Sequence, residues 1–215
     1  MTMKTFLFDL DGTLVDSNAD LAAALNYMRK CFQLPPLPDS EVQKLLGWGI
    51  RDLIDKSFRQ EGIKLSSSDL DRALKIDMDY YTEHIADLTR PYPGVVEVLQ
   101  ELQKRNCAMA LVTNKHAHAA EKILKLTGLA DFMQFIGGDG LKLKLKPEPD
   151  LLLKAMEVLS ADAATTVMVG DNNTDLGSAR NAQIKSVFLS CGYGTVGDEK
   201  PDFTFDSIYG LLEIA

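Results

Sequence analysis

The sequence reads as an α/β protein, a parallel sheet covered by helices on both faces, with an all-helical segment inserted after the first strand. Three observations carry this reading. Short continuous apolar runs, among them Thr5–Phe8, Ala108–Val112 and Thr166–Val169, stop abruptly at polar residues, as fully buried strands do. Segments of helical spacing separate these runs, and such alternation argues for a parallel sheet. The stretch from Val15 to Leu88 contains no strand-like run, while its apolar residues recur at helical intervals.

In chain order, Thr5–Phe8 ends at Asp9-Leu10-Asp11-Gly12-Thr13, a strand followed by a turn. The helical segment follows, with apolar stripes at Leu21, Leu25, Met28; Val42, Leu45, Leu46; Leu53, Ile54, Phe58; and Leu70, Leu74, Met78. Asp16, Ser17 or Asn18 can cap its first helix, and Ser68 or Asp69 a later one. Arg90-Pro91-Tyr92-Pro93-Gly94 is rich in breakers and reads as a linker or hinge. Residues 15–88 are therefore expected to form one unit, with residues 1–14 and 89–215 forming the main one. There the spacing predicts helices at Val95, Val98, Leu99 and Leu102, at Ala120, Ile123 and Leu124, and at Leu151, Leu152, Ala155, Met156 and Leu159. Strand runs lie between them: Ala108–Val112 ending at Thr113-Asn114-Lys115, Phe135-Ile136 ending at Gly137-Gly138-Asp139, Thr166–Val169 ending at Gly170-Asp171-Asn172-Asn173, and Ser186–Leu189 before Ser190.

Composition bounds the function. With 46% hydrophobic and 25% charged residues the chain is globular rather than disordered. Lys and Arg total 23 against 31 Asp and Glu, a net charge of −8, and no basic run offers a footprint for nucleic acid. Cys31, Cys107 and Cys191 are isolated, which suits a reducing cytoplasm. The start, Met1-Thr2-Met3-Lys4, reads as neither signal peptide nor membrane span, so a cytoplasmic protein with no membrane partner is expected. A monomer and a homodimer both remain open.

Ligands of open parallel sheets bind beyond the carboxyl ends of the strands. Asp9, Thr113 and Asp171, distant in sequence, each stand at such an end and are expected to converge on one crevice. A single polar cluster could be a mere loop, but Asp-x-Asp-Gly-Thr is a specific arrangement.

These residues resemble the haloacid dehalogenase superfamily. Asp9-Leu10-Asp11-Gly12-Thr13 looks like its first motif, Thr113-Asn114 its second, Lys146-Pro147-Glu148-Pro149 its third and Gly170-Asp171 through Asp175 its fourth, in the right order. Asn172 departs from the Ser or Thr common after the fourth-motif Asp. The helical insertion is similar to the cap domain of the phosphoglycolate phosphatase and β-phosphoglucomutase branches, and Gly47-Trp48-Gly49-Ile50-Arg51-Asp52-Leu53 resembles the Gly-x-Gly loop of phosphoglycolate phosphatases. The resemblance implies a Rossmann-like core with an inserted helical cap, and a phosphatase for a small phosphorylated metabolite such as 2-phosphoglycolate. The alternatives are a β-phosphoglucomutase-like isomerase or a pyrophosphatase.

An anionic nucleophile attacks a phosphate ester only where a cation neutralises charge and the site is rigid. Asp9 is the candidate nucleophile, forming a phospho-aspartate, and Asp11 the candidate acid and base. Asp9, Asp11, Asp171 and Asp175 bring four negative charges against the one positive charge of Lys146, so a dianionic phosphate requires a metal; Mg²⁺, a hard cation, fits. The resemblance implies that Asp9, Asp171 and the backbone carbonyl of Asp11 ligate it, with Asp175 orienting the outer shell. It also implies that Thr113 and Asn114 donate to phosphoryl oxygens and that Lys146 offsets developing charge. Gly12 is expected to let the backbone approach the phosphate, and Thr13 to bond within the loop. Arg51 could reach a substrate carboxylate or phosphate when the cap closes. Trp48 is read as packing inside the cap, and His84, His116 and His118 receive no role.

Overall fold

The continuous apolar run Thr5–Phe8 forms the central strand of the sheet in a computed structural model that describes residues 2–215. Only Met1 of the residues assigned to the main unit lies outside them. The elements are β1 (Thr5–Phe8), β2 (Val15–Asp16), α1 (Asn18–Cys31), α2 (Asp39–Gln43), α3 (Ile50–Arg59), α4 (Ser67–Glu83), β3 (Arg90–Pro91), α5 (Val95–Lys104), β4 (Ala108–His116), α6 (Ala117–Leu126), β5 (Ile136–Asp139), α7 (Asp150–Leu159), β6 (Thr166–Gly170), α8 (Asn173–Ala182), β7 (Lys185–Leu189) and β8 (Phe203–Phe205). Six strands form one parallel sheet in the order β5-β4-β1-β6-β7-β8.

Successive strand residues point to opposite faces, and the core divides accordingly. Phe6, Phe8, Met109, Leu111, Val167 and Val169 pack with α5 and α6 on one face. Leu7, Ala110, Val112 and Met168 pack with α7 and α8 on the other. Every residue of β1 is buried, because helices cover both sides. The chain leaves β1 toward β4 on one side and later returns to β6 on the other, so the direction of winding reverses at β1. A crevice opens there, beyond the strand ends.

Helices α1 to α4 share an apolar cluster of their own, built on Ala22, Leu25, Met28, Val42, Leu53, Ile54 and Phe58. The separation from the sheet is not clean, since Leu21 and Ala24 of α1 and Tyr81 of α4 belong to the main core. The connectors also differ from the expected free linker. Val15–Asp16 and Arg90–Pro91 pair as an antiparallel ribbon, and buried Asp20 accepts hydrogen bonds from Leu88 N at 3.0 Å and Thr89 N at 2.8 Å, and from Thr89 Oγ1 at 2.7 Å. Two chain crossings are thus clasped together at the base of the insertion.

Three further details depart from expectation. Helix α4 is capped by Ser66, whose Oγ accepts from Asp69 N at 3.1 Å, rather than by Ser68 or Asp69. Ser17 occupies the N-cap of α1 without a side-chain cap bond, because its hydroxyl is drawn to Asp11. Strand β4 runs past Val112 to His116 with a register shift against β5, which places Thr113 inside an irregular strand end rather than in a loop.

Replacing Asp20 by Ala strands buried donors at the clasp, each costing ~1–3 kcal/mol. Urea titration of Asp20→Ala is expected to show a loss of about 3 kcal/mol, and a loss within error of zero would mean that the clasp is not structural.

Candidate active site

The turn after β1 is shaped by one close approach. Gly12 has φ +83°, and a Cβ there would lie 2.3 Å from Asp171 Oδ2. The glycine makes room for Asp171 rather than for a phosphate. Thr13 likewise reaches across, donating from Oγ1 to Asp171 Oδ1 at 3.1 Å instead of bonding within its loop. Asp171 Oδ2 accepts from Tyr193 N at 3.0 Å and Gly194 N at 2.8 Å. Asp9, held by its own N–H to Val169 O at 2.9 Å, stands directly at the tip of β1.

Lys146 is the buried cation of the site. Its side chain is 1% exposed, with Nζ 2.6 Å from Asp175 Oδ1 and 3.0 Å from Asp9 Oδ1. Burial alone would pull its ammonium down, but Asp175 and Asp9 hold it above the ordinary lysine value. The ion pair to Asp9 is a contact of charges without hydrogen-bond alignment, so Asp9 Oδ1 is buried and lacks a hydrogen-bond partner. Both oxygens of Asp175 are committed, Oδ1 to Lys146 and Oδ2 to Asn172 N at 3.0 Å.

Asn114 does something other than face a phosphate. Its Oδ1 accepts from Lys146 N at 2.8 Å, and its Nδ2 donates to Lys146 O at 2.9 Å and to Gly47 O at 3.3 Å. The amide clamps the Lys146 backbone and touches the insertion, and Asn114 lines the cavity. Thr113 is buried and lines the cavity, its Oγ1 accepting from Lys115 N at 3.2 Å.

Lys115 was not singled out by sequence. Its Nζ lies 3.0 Å from Asp11 Oδ1 and 2.7 Å from Asp11 Oδ2, and it stands 4.9 Å above the Tyr81 ring. Burial opposes its charge, yet Asp11 holds the ammonium well above its usual value. Asp11 also accepts from Ser17 Oγ, which lies 3.3 Å from the Tyr193 hydroxyl. The only sequence signal was adjacency to Thr113-Asn114. With this second lysine, four carboxylates face two ammonium groups, leaving −2 rather than −3 before any ligand enters.

A cavity of about 480 Å³ joins these groups to the insertion, whose Leu46, Trp48, Ile50, Leu74, Asp77 and Tyr81 form its far wall. Trp48 is half exposed and lines this cavity instead of packing inside the insertion. Arg51 stands at the rim, its side chain 55% exposed and paired with Asp71, so it alone of the expected site residues is turned away from the acidic cluster. His116 also lines the cavity, while His84 pairs with Asp87 at the surface.

The donor set fits a divalent metal. Asp9, Asp171 and Asp175 each offer a carboxylate oxygen, all within 4.8 Å of one another. Burial, with Asp175 and Asp9 adding their charge, pushes Asp171 up to about 7, the mark of carboxylates crowded without a counter-ion. Asp9 Oδ1, touched by the Lys146 ammonium at 3.0 Å, keeps lone-pair capacity for a cation.

A parallel sheet whose carboxyl edge gathers aspartates around a buried lysine, under an inserted helical wall, defines a class of α/β enzymes that work through carboxylates. The model of the haloacid dehalogenase-like hydrolases matches residues 6–189, and the chain belongs to that family. It is 40% identical to a phosphoglycolate phosphatase of Neisseria meningitidis over 98% of this chain and 93% of that one. It is 33% identical to an N-acetylmuramic acid 6-phosphate phosphatase of Pseudomonas aeruginosa, over 90% of this chain and 84% of that one. Among solved structures, a "predicted phosphoglycolate phosphatase" of Haemophilus somnus superposes with TM-score 0.92 at 28% identity, covering 100% of this chain and 98% of that one.

In metal-free protein, the raised value of Asp171 means that the native state keeps a proton the unfolded chain, at 3.8, has already released. Stability therefore falls as pH rises from about 4 through 7. Urea titrations at about pH 5 and pH 8 are expected to show this fall, and Asp171→Asn to lessen it, with Asp77 and Asp175, also raised, adding slopes of the same sign; a wild-type slope unchanged by the substitution would place the proton elsewhere.

Proposed function

We propose that the chain is a Mg²⁺-dependent phosphatase acting on a small phosphorylated metabolite, 2-phosphoglycolate being the first to try, through a phospho-aspartate formed on Asp9. The observation that carries the reading is the Asp9 carboxylate at the tip of β1, its Oδ1 3.0 Å from Lys146 Nζ and within reach of Asp171. The phosphatase names of relatives that span nearly the whole chain support it. Asp9 and Asp171 would hold the ion with the Asp11 carbonyl, and Asp175 would keep Lys146 in place. Bound there, Mg²⁺ supplies positive charge against which a phosphate dianion can approach the carboxylates.

The protein's own groups perform the rest. A carboxylate oxygen of Asp9 attacks phosphorus, and the bond from phosphorus to the leaving oxygen breaks. Asp11 gives that oxygen a proton, then takes one from the water that attacks the acyl phosphate, releasing inorganic phosphate and restoring Asp9. Lys115 holds the Asp11 carboxyl in place, its Nζ 2.7 Å from Oδ2 and 3.0 Å from Oδ1. Lys146 offsets charge developing on the phosphoryl oxygens. Helices α1 to α4 serve as the cap, excluding bulk water from the reacting groups.

Phosphate release with Mg²⁺ is the direct test. Asp9→Asn is expected to lower kcat by about a thousandfold or more while the melting transition stays in place, and activity near wild type would refute the covalent role. EDTA is expected to silence the enzyme and added Mg²⁺ to restore it; turnover that survives chelation would contradict the charge balance. Incubation with a hexose phosphate is expected to release phosphate rather than yield an isomer, which separates the reading from a phosphomutase.

A further inference from the structure

The cavity wall opposite the carboxylates contains two buried polar groups that the chemistry above does not use. Asp77 and Tyr81 lie one turn apart on α4, so both face the same way. Asp77 is 1% exposed and Tyr81 8%, and both line the cavity. Neither oxygen of the Asp77 carboxyl has a hydrogen-bond partner, and the Tyr81 hydroxyl has none beyond its approach to the Lys115 ammonium. Buried polar groups are nearly always paired, since leaving one unpaired is costly. Two such groups, adjacent and lining one cavity, are explained by a ligand that completes them.

We propose that Asp77 and Tyr81 form the leaving-group subsite, binding a substrate whose non-phosphoryl part carries hydroxyl groups rather than a carboxylate. This rests on the phosphatase reading and narrows its substrate class. Charge decides against a carboxylate. The lysines and arginine that line the cavity are already paired: Lys115 with Asp11, Lys146 with Asp9 and Asp175, and Arg51, at the rim, with Asp71. A second anionic group would meet Asp77 with no free counter-charge. A hydroxyl both donates and accepts, and so pairs with a carboxyl in either protonation state and with a phenol. Burial pushes Asp77 up to about 7, which leaves it able to do both near neutrality. Size agrees, because a cavity of about 480 Å³ is far larger than a glycolyl group needs. Its other far-side walls, Leu46, Ile50, Leu74 and the face of Trp48, suit the carbon faces of a polyol or sugar ring.

The test measures kcat/KM with Mg²⁺ for a hexose phosphate, for 2-phosphoglycolate and for p-nitrophenyl phosphate, whose leaving group offers no hydroxyl donor. Wild type is expected to prefer the hexose phosphate to 2-phosphoglycolate. Asp77→Leu is expected to lower kcat/KM for the hexose phosphate about tenfold or more while p-nitrophenyl phosphate stays within about twofold. Asp77→Asn should recover most of the loss, and Tyr81→Phe, which keeps the ring under Lys115, should show a smaller loss of the same selectivity. Equal falls on all three substrates, no fall on any, or a wild-type preference for 2-phosphoglycolate would overturn the subsite. Absence of turnover of every substrate by wild type would instead fail the phosphatase reading. In that case calorimetry of the hexose phosphate on Asp9→Asn and on Asp9→Asn/Asp77→Leu decides the subsite by itself, with weaker binding to the second expected and equal binding overturning it.

Discussion

The arrangement depends on one buried ammonium. Lys146 sits between Asp9 and Asp175 with its side chain 1% exposed, and a charge so deeply desolvated survives only where partners surround it. Removing both carboxylates would leave an uncompensated ion in the core; removing the lysine would leave Asp9, Asp171 and Asp175 to repel one another. The lysine is held at both its ends. Asn114 clamps its backbone with two hydrogen bonds, and Asp175, itself fixed by the amide of Asn172 at the start of α8, grips its ammonium. Strands β1, β4 and β6 and helix α8 are thereby locked to a common point, which is the rigidity that charge-stabilising chemistry requires.

The same clamp reaches the insertion. Asn114 donates to Gly47 O, and a Cβ on Gly47, at φ +118°, would lie 2.7 Å from Asn172 Nδ2. The loop that carries Trp48 thus rests on the two asparagines that support Lys146 and Asp175. With Asp20 clasping the crossing chains at the other end, the insertion is anchored near its base and touches the centre through this loop and through Tyr81 under Lys115. A wall attached in this way can change its lining residues without disturbing the charges beneath.

Much of the fold and part of the site were legible in the sequence. Asp9 and Asp171 could be read because a buried parallel strand announces itself as an unbroken apolar run, and the sheet forces the ends of such runs together. Strand β8 escaped because Phe203–Phe205 is three residues long at the sheet edge, and α8 because its residues are mostly polar or small and it is buried by its glycine, serine and alanines rather than by a leucine stripe. The partners of Lys115 and Asn114 were beyond reach for another reason. Lys115 meets a carboxylate 104 positions away, and nothing in local spacing separates that lysine from a solvated one. Arg51 shows the same limit: its loop position places it at the cavity rim, but its pairing with an acidic residue on α4 is not visible in local spacing. Local pattern reports which backbone a residue occupies; what its side chain touches is settled by the packing of elements far apart in sequence.

The unfilled hydrogen-bonding capacity around the cavity divides by side. On the sheet side the charged groups are matched to one another, with Asp9 Oδ1 the buried oxygen left without a hydrogen bond. On the insertion side the unmatched groups are Asp77 and the Tyr81 hydroxyl. The first set suits an electrophilic centre and a cation, the second a neutral polar partner. The two meet through the clasp, the Gly47 loop and the seat of Tyr81 under Lys115. Relatives of 33% to 40% identity carry phosphatase names directed at compounds as unlike as phosphoglycolate and an amino-sugar phosphate, as expected where function lives in a site grafted on a fold.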